Sequence, residues 1–436
     1  MVKLLYQKLK GKGAGFVLAS YLILCAADVT AATISVSPGA DNLSKAIAQA
    51  VPGDVLQLTA GVHNGPVTID KTLSLLGDAG SIVKGSGVGS TITVAASDVI
   101  IRGLTVTGSG DALKTMDSGI FVNKAGNRAL VEGNRILGNL FGVYFWGPKD
   151  AVMRGNTVVG MKSHHVNSRG NGISLWNTPG SIVEDNDFSF GRDGIFTTTS
   201  RKNIFRNNRF RNVRIAVHYM YTNDSEVSGN VSEGNHVGFA LMFSKKLVVR
   251  GNRSVGDRDH GILLNFANSS VFEGNSVEDG KTKCVFIYNS NKNLFSRNLF
   301  KGCGIGIHFT AGSERNIMTS NAFIANQTQV KYVGSRNLDW SYKGRGNFWS
   351  DNPAFDLNGD GISDTAYRPN DMVDRVVWAH PTAKLLLNSP AVQVLRWAQS
   401  RFPGLLPGGV VDTAPLMTPP QIELAENQPK NQKARP

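Results

Sequence analysis

Asparagine recurs through the middle of this chain at an almost constant interval. In VEGN, MRGN, VEDN, FRNN, VSGN, VRGN, FEGN, FSRN and MTSN it stands at Asn134, Asn156, Asn186, Asn208, Asn230, Asn252, Asn275, Asn298 and Asn321, with steps of 22, 30, 22, 22, 22, 23, 23 and 23 residues. A second register, Gly119, Gly142, Gly172, Gly194, Ala216, Gly238, Gly261, Cys284 and Gly306, lengthens at the same place. A unit this short, rich in Val, Ile and Phe, cannot enclose a core alone; its apolar face is buried only when copies stack. The repeat predicts an all-β chain, a right-handed parallel β-helix whose coils lie about 4.8 Å apart along the axis. Leucine-rich repeats share the period, but their Leu-x-x-Leu-x-Leu frame is missing. Stacked asparagines would bond the next coil's backbone at a turn, which makes them structural.

The repeat divides the 436 residues. Residues 1–32 read as an export signal, with Lys3, Lys8, Lys10 and Lys12 before the apolar GAGFVLASYLILCAA and small residues at DVTAA, and cleavage after Ala31 or Ala32. Residues 33–80 are an N-terminal cap and first coils, with Leu43, Ile47 and Ala50 on one helical face. The β-helix itself spans 81–327, a C-terminal cap 328–387, and an amphipathic helix with a proline-rich tail 388–436. The formal charge is +13, or +10 once the signal's four lysines and Asp28 are removed, which favours an acidic partner. No nucleic-acid module accompanies that charge, and an exported chain does not meet DNA. Cys284 and Cys303 fall in different columns of successive coils, which argues against their pairing.

Counting from each glycine sorts the following strand by direction. The first and third places after it, such as Val217 and Tyr219, are apolar and form the core. The second and fourth point outward and include Tyr144, Trp146, Trp176, Phe196, His218, Met220, Met242, Phe286 and Tyr288, with no charged residue in nine coils. An uncharged aromatic face of this size marks a partner surface, unless a later segment of the chain covers it. Sugar lyases and hydrolases need converging carboxylates, so an enzyme is not expected; a polysaccharide-binding or polysaccharide-modifying β-helix is the alternative, with Trp146 and Trp176 as stacking groups.

The skipped step inserts eight residues around GMKSHHVNSRGN, bringing His164 and His165 before the strand of Trp176. With His218, Met220 and Met242 they make an imidazole and thioether set that selects copper, Cu(I) above all; the same methionines also suit plain packing. In AFDLNGDGISDT, Asp356, Asn358, Asp360 and Asp364 have the alternation of a calcium loop, or of an Asx-turn cluster without metal. Arg368 stands where an EF-hand would place glutamate.

The export signal, PGDVLQLTAGVH at the capped start, the asparagine coils and GNFWSDNPAFDLNGDGISDTAYRP together resemble the NosD family, periplasmic proteins for maturation of nitrous oxide reductase. The resemblance implies a non-enzymatic accessory protein acting with the permease and ATPase of an ABC transporter, with a copper chaperone and with the reductase. It supplies no catalytic motif. The helix AVQVLRWAQSRF, with Val394, Leu395, Trp397 and Phe402, is expected either to dock on the permease or to pack on its own solenoid.

Overall fold

The computed structural model describes residues 31–162, 165–334, 336–369, 373, 376, 377, 380–386, 389–402 and 409–422. The expected export signal therefore lies outside the described residues, apart from Ala31 and Ala32. The chain winds as a parallel β-helix with three long sheets of thirteen, twelve and thirteen strands, each strand bonded to its counterpart one coil away. One coil reads Phe141–Trp146 in the twelve-stranded sheet, Val152–Arg154 in the first thirteen-stranded sheet and Thr157–Val159 in the second. Inside, like stacks on like: Phe188 on Phe210 at 5.3 Å, Phe272 on Phe295 at 4.5 Å, and Phe323 on Trp349 at 4.2 Å between ring centroids. This follows from in-register parallel pairing, which places equivalent residues of successive coils side by side.

The asparagine column sits at the sharp corner between the two thirteen-stranded sheets, where backbone groups turn away from both ladders. Each side chain fills that gap twice. Asn252 Nδ2 donates to the Val227 carbonyl at 2.8 Å and to Asn275 Oδ1 at 2.9 Å, while Asn252 Oδ1 accepts the Asn230 amide at 3.0 Å. The same pattern links Asn134 to Asn156 at one end and Asn321 to Asn347 at the other. Asn347 is a further rung, hidden from the sequence spacing because the last coil is longer. Outside this corner, Arg154 pairs with Glu132 at 2.7 Å and Arg206 with Glu184 at 2.6 Å, exposed contacts worth about 0–1 kcal/mol each.

The two ends carry coils of their own. Thr33–Val36 already pairs with Val55–Leu58, so coil stacking begins at the first residues of the cap. At the far end Thr328–Val333 pairs with Ile305–Thr310 and Phe348–Trp349 with Ala322–Phe323, so stacking continues past residue 327. Helix α1, Asn42–Gln49, buries Leu43 and Ile47 over the first coil. The tail is not free: Val410–Val411 pairs with Leu338–Asp339, and the buried Asp412 carboxylate accepts the Asn347 amide at 2.7 Å and Trp349 Nε1 at 2.8 Å. Asp412 thus ends the asparagine ladder with a carboxylate, and burial raises its pKa above the ordinary value.

Cys284 and Cys303 form a disulfide, contrary to the reading from columns. Cys284 lies in the inward glycine column of Lys283–Tyr288, whereas Cys303 follows Leu299–Lys301 at the next corner. Different columns meet at a corner, and their Cα atoms stand 5.7 Å apart across a separation of 19 residues.

Replacing Asn252 by alanine leaves the buried Asn230 amide without its acceptor and removes the side-chain bond to the Val227 carbonyl. The expected loss is about 2–4 kcal/mol in urea unfolding followed by circular dichroism, against less than about 1 kcal/mol for Arg206→Ala on the exposed ladder.

Candidate functional site

The outer face of the twelve-stranded sheet is built from strands one residue longer than the glycine count suggests. They begin before the glycine position, as in Asp193–Thr198, Ile215–Met220, Val237–Met242 and His260–Asn265. Register passes from Asp193↔Ile215 directly to Ile195↔Val217, omitting the pair Gly194 and Ala216. A Cβ on Gly194 would lie 2.3 Å from the Phe210 ring, so this position points inward, as does the one after it. The resulting kink turns the preceding residue outward. Asp193, His260 and Lys283 therefore join the face, and Lys331 enters at its end opposite His308. The expectation of a face without charge fails for this reason.

The preceding residue of one coil meets the second-place residue of the next. Asp193, 1% exposed at its side chain, receives His218 Nδ1 at 3.0 Å and the Arg214 guanidinium at 2.7 Å from Nε and 2.6 Å from Nη2. Burial pushes the Asp193 carboxyl up, but the His218 and Arg214 hydrogen bonds and the Arg214 charge outweigh it and hold the group below its ordinary pKa. His218 points outward as its column requires, yet it is only 9% exposed. The Phe196 ring stands against it at 5.0 Å and 63°. Its Nε2 is buried and has no hydrogen-bond partner among the described residues. Asp193 stands one place before the glycine from which the strand is counted, so sequence reasoning does not set it on this face.

Met220 and Met242 are register partners on neighbouring strands and both half-buried. Met242 and Leu263 pack on a separate apolar cluster of Ile215, Val237 and Ala240 on this outer face. The copper set is only partly assembled. His165 is exposed and its Nδ1 accepts the Asn167 amide at 3.3 Å, while His164 lies outside the described residues. Among the described residues no three His, Cys, Asp or Glu side chains form a metal cluster. The end of the insertion does reach the site: Asn171 Oδ1 accepts the Asp193 amide at 3.2 Å.

The aromatic face is partly exposed. Trp146 and Trp176 stack at 5.6 Å, Tyr144 leans on Phe121 and Phe141, and Phe286 contacts Tyr288 at 6.3 Å. A ridge absent from the sequence reading runs along its edge, where Tyr221, Phe243 and Phe266 stack at 5.0 and 5.3 Å. All three have φ near +50°, a region that disfavours bulky side chains. Their spacing of 22 and 23 residues, directly after Met220, Met242 and Asn265, was the available signal. Further along, Phe286 lies 4.9 Å from His308 and 5.4 Å from His260, with the Lys283 ammonium 4.6 Å from its centroid. Burial, with Lys283 and Lys331, pushes His308 down to about 4.

In the acidic loop, Asp356 accepts the Gly359 amide at 2.7 Å and the Gly361 amide at 2.8 Å, and Asp364 accepts the Leu357 amide at 2.8 Å. Those bonds, led by Gly361, keep Asp356 below the ordinary carboxylate value. This is the arrangement of an Asx-turn cluster. Helix α2, Pro390–Arg401, is capped by Ser389 and leaves Val394, Leu395, Trp397 and Phe402 exposed. Among the described residues no helix is long and apolar enough to cross a membrane.

A rigid parallel β-helix presenting one imidazole, thioether and aromatic face, its buried carboxylate already engaged, is the class that fold and site define. By sequence the chain belongs to the NosD family. A family profile described as "Periplasmic copper-binding protein (NosD)" matches residues 149–354. A "Probable ABC transporter binding protein NosD" from Stutzerimonas stutzeri is 42% identical over 84% of this chain and 88% of its own length. One of the same name from Pseudomonas aeruginosa is 41% identical over 84% and 89%. Among solved structures, a hyperthermoactive exopolygalacturonase from Thermotoga maritima aligns with TM-score 0.52 and 14% identity, covering 69% of this chain and 92% of that one. A DFA-IIIase from Arthrobacter chlorophenolicus A6 aligns with TM-score 0.50 and 15% identity over 68% and 95%. Those two likenesses are of fold alone.

Asp193→Ala removes the partner of both Arg214 and His218, and a loss of about 3 kcal/mol is expected in urea unfolding at neutral pH. Because the folded-state pKa is lowered, this contribution is present above the ordinary carboxylate range and fades as pH falls through the lowered value.

Proposed function

We propose that this chain is a periplasmic, non-enzymatic accessory protein in assembly of the copper centre of nitrous oxide reductase. It acts with the permease and ATPase of an ABC transporter and with a copper chaperone, and copper is its cargo. The supporting observation is the unpartnered, buried Nε2 of His218 on the strand that also carries Met220, with Met242 beside it in register. Imidazole and thioether are soft or borderline donors, and no carboxylate is free beside them to favour a hard cation, since Asp193 is held by Arg214 and His218. The family description as copper-binding and the relatives' naming as ABC transporter binding proteins agree with this reading.

The aromatic face, with Tyr144, Trp146, Trp176, Phe196, Phe286 and Tyr288, is the surface a copper-bearing or copper-receiving protein would cover. Docking to the transporter falls to α2 through the exposed apolar side chains of Val394, Leu395, Trp397 and Phe402. A polysaccharide-modifying reading has less support, because Asp193 is a single carboxylate with both oxygens committed.

Reductase matured beside the Met220→Ala/Met242→Ala chain should carry markedly less copper at its centre than reductase matured beside the unaltered chain, measured by elemental analysis; equal content would sink the copper reading. Val394→Glu with Phe402→Glu should weaken copurification with the transporter severalfold while leaving the melting temperature of the solenoid in place. Full copurification would remove α2 from the docking surface.

A further inference from the structure

We infer that Asp193 and Arg214 form a buried clamp that fixes His218 as the Nδ1–H tautomer and presents Nε2 as the nitrogen donor for Cu(I). The inference rests on the copper reading above and adds two positioning residues to it. An ionised carboxylate only accepts hydrogen bonds, so the 3.0 Å contact between Asp193 Oδ2 and His218 Nδ1 requires the proton on Nδ1. In the neutral ring the lone pair is then on Nε2, the atom left buried and unpartnered. A histidine that ligates metal through one nitrogen commonly donates its other N–H to a carboxylate, which sets tautomer and ring orientation.

The clamp is held from three sides. Arg214 binds both oxygens of Asp193, at 2.7 and 2.6 Å, and fixes the carboxylate plane. The Asp193 amide is bonded to Asn171 at the end of the inserted loop, and the Arg214 amide donates to the Arg192 carbonyl at 2.6 Å. Phe196 closes one side of the imidazole. Charge decides which cation fits. Asp193 and Arg214 cancel, so the ligand set of one imidazole and the thioethers of Met220 and Met242 is neutral overall, which suits a soft monovalent ion and disfavours zinc or calcium. The other buried imidazoles on this face are differently placed. His308 lies between Lys283 and Lys331, whose charges repel a cation, and His260 also faces Lys283, with Asp259 and His236 beside it.

The test uses the full exported chain without metal, labelled with nitrogen-15 in its histidine rings, His218 being assigned by its loss in His218→Gln. The expected result in the unaltered protein is a single Nδ1–H tautomer at neutral pH, and loss of that fixed state in Asp193→Asn. Cu(I), titrated against a competing chelator under reducing conditions, should bind Asp193→Asn tenfold or more weakly than the unaltered chain. An Nε2–H tautomer in the unaltered protein overturns the clamp without any variant. So does Cu(I) binding of equal strength in Asp193→Asn with the tautomer unchanged. If the unaltered chain binds no Cu(I), the copper reading itself falls, a result separable from the other two.

Discussion

Hydrogen bonding at one corner governs this molecule. A parallel β-helix buries a stack of backbone turns, and every amide and carbonyl turned out of the sheets there must find a partner or cost about 1–3 kcal/mol. The asparagine column meets that demand with one residue type, because the amide side chain donates and accepts at once and so can bond the coil before it and the coil after. Asn134 through Asn347 form a continuous chain of such bonds, each rung depending on its neighbour. The sheets on either side hold their register because this corner holds its own.

A ladder of this kind has an open end, and its closure explains the distant tail. The final amide, that of Asn347, has no further asparagine to receive it. Asp412, 65 residues later, supplies the oxygen and takes Trp349 Nε1 as well. The stretch around Asn347 and Trp349 is the part that has to match the returning tail. Its value lies in sealing the core, with Trp349 lying on Phe323 as the last of the stacked rings.

Periodicity made the fold readable, since a 22- or 23-residue step constrains architecture and core columns together. Tyr219 inward and Met220 outward followed from alternation alone. Where strict alternation broke, the reading broke too. The kink at the glycine column reverses direction for one residue, which hid Asp193, His260 and Lys283 from the outer face. The disulfide was missed by the same route, because columns describe neighbours along the axis and Cys284 meets Cys303 around a corner. Asp412 carried no periodic signal at all, its partner being set by where the tail returns.

The outer face shows how a repeating scaffold can make a single non-repeating site. Every coil offers the same positions about 4.8 Å from the next, so chemistry arises only where the occupants of adjoining columns complement each other. Asp193 and His218 do so across one coil boundary; Lys283 and His308 occupy the equivalent pair of positions further along with the opposite result. In the first pair the Asp193 carboxylate holds His218 Nδ1 at 3.0 Å and is itself paired with the Arg214 guanidinium. In the second, burial together with the Lys283 and Lys331 charges holds the His308 ring at a low pKa, and the Phe286 ring lies against it. Identical backbone geometry therefore sets a carboxylate against one imidazole and ammonium groups near the other.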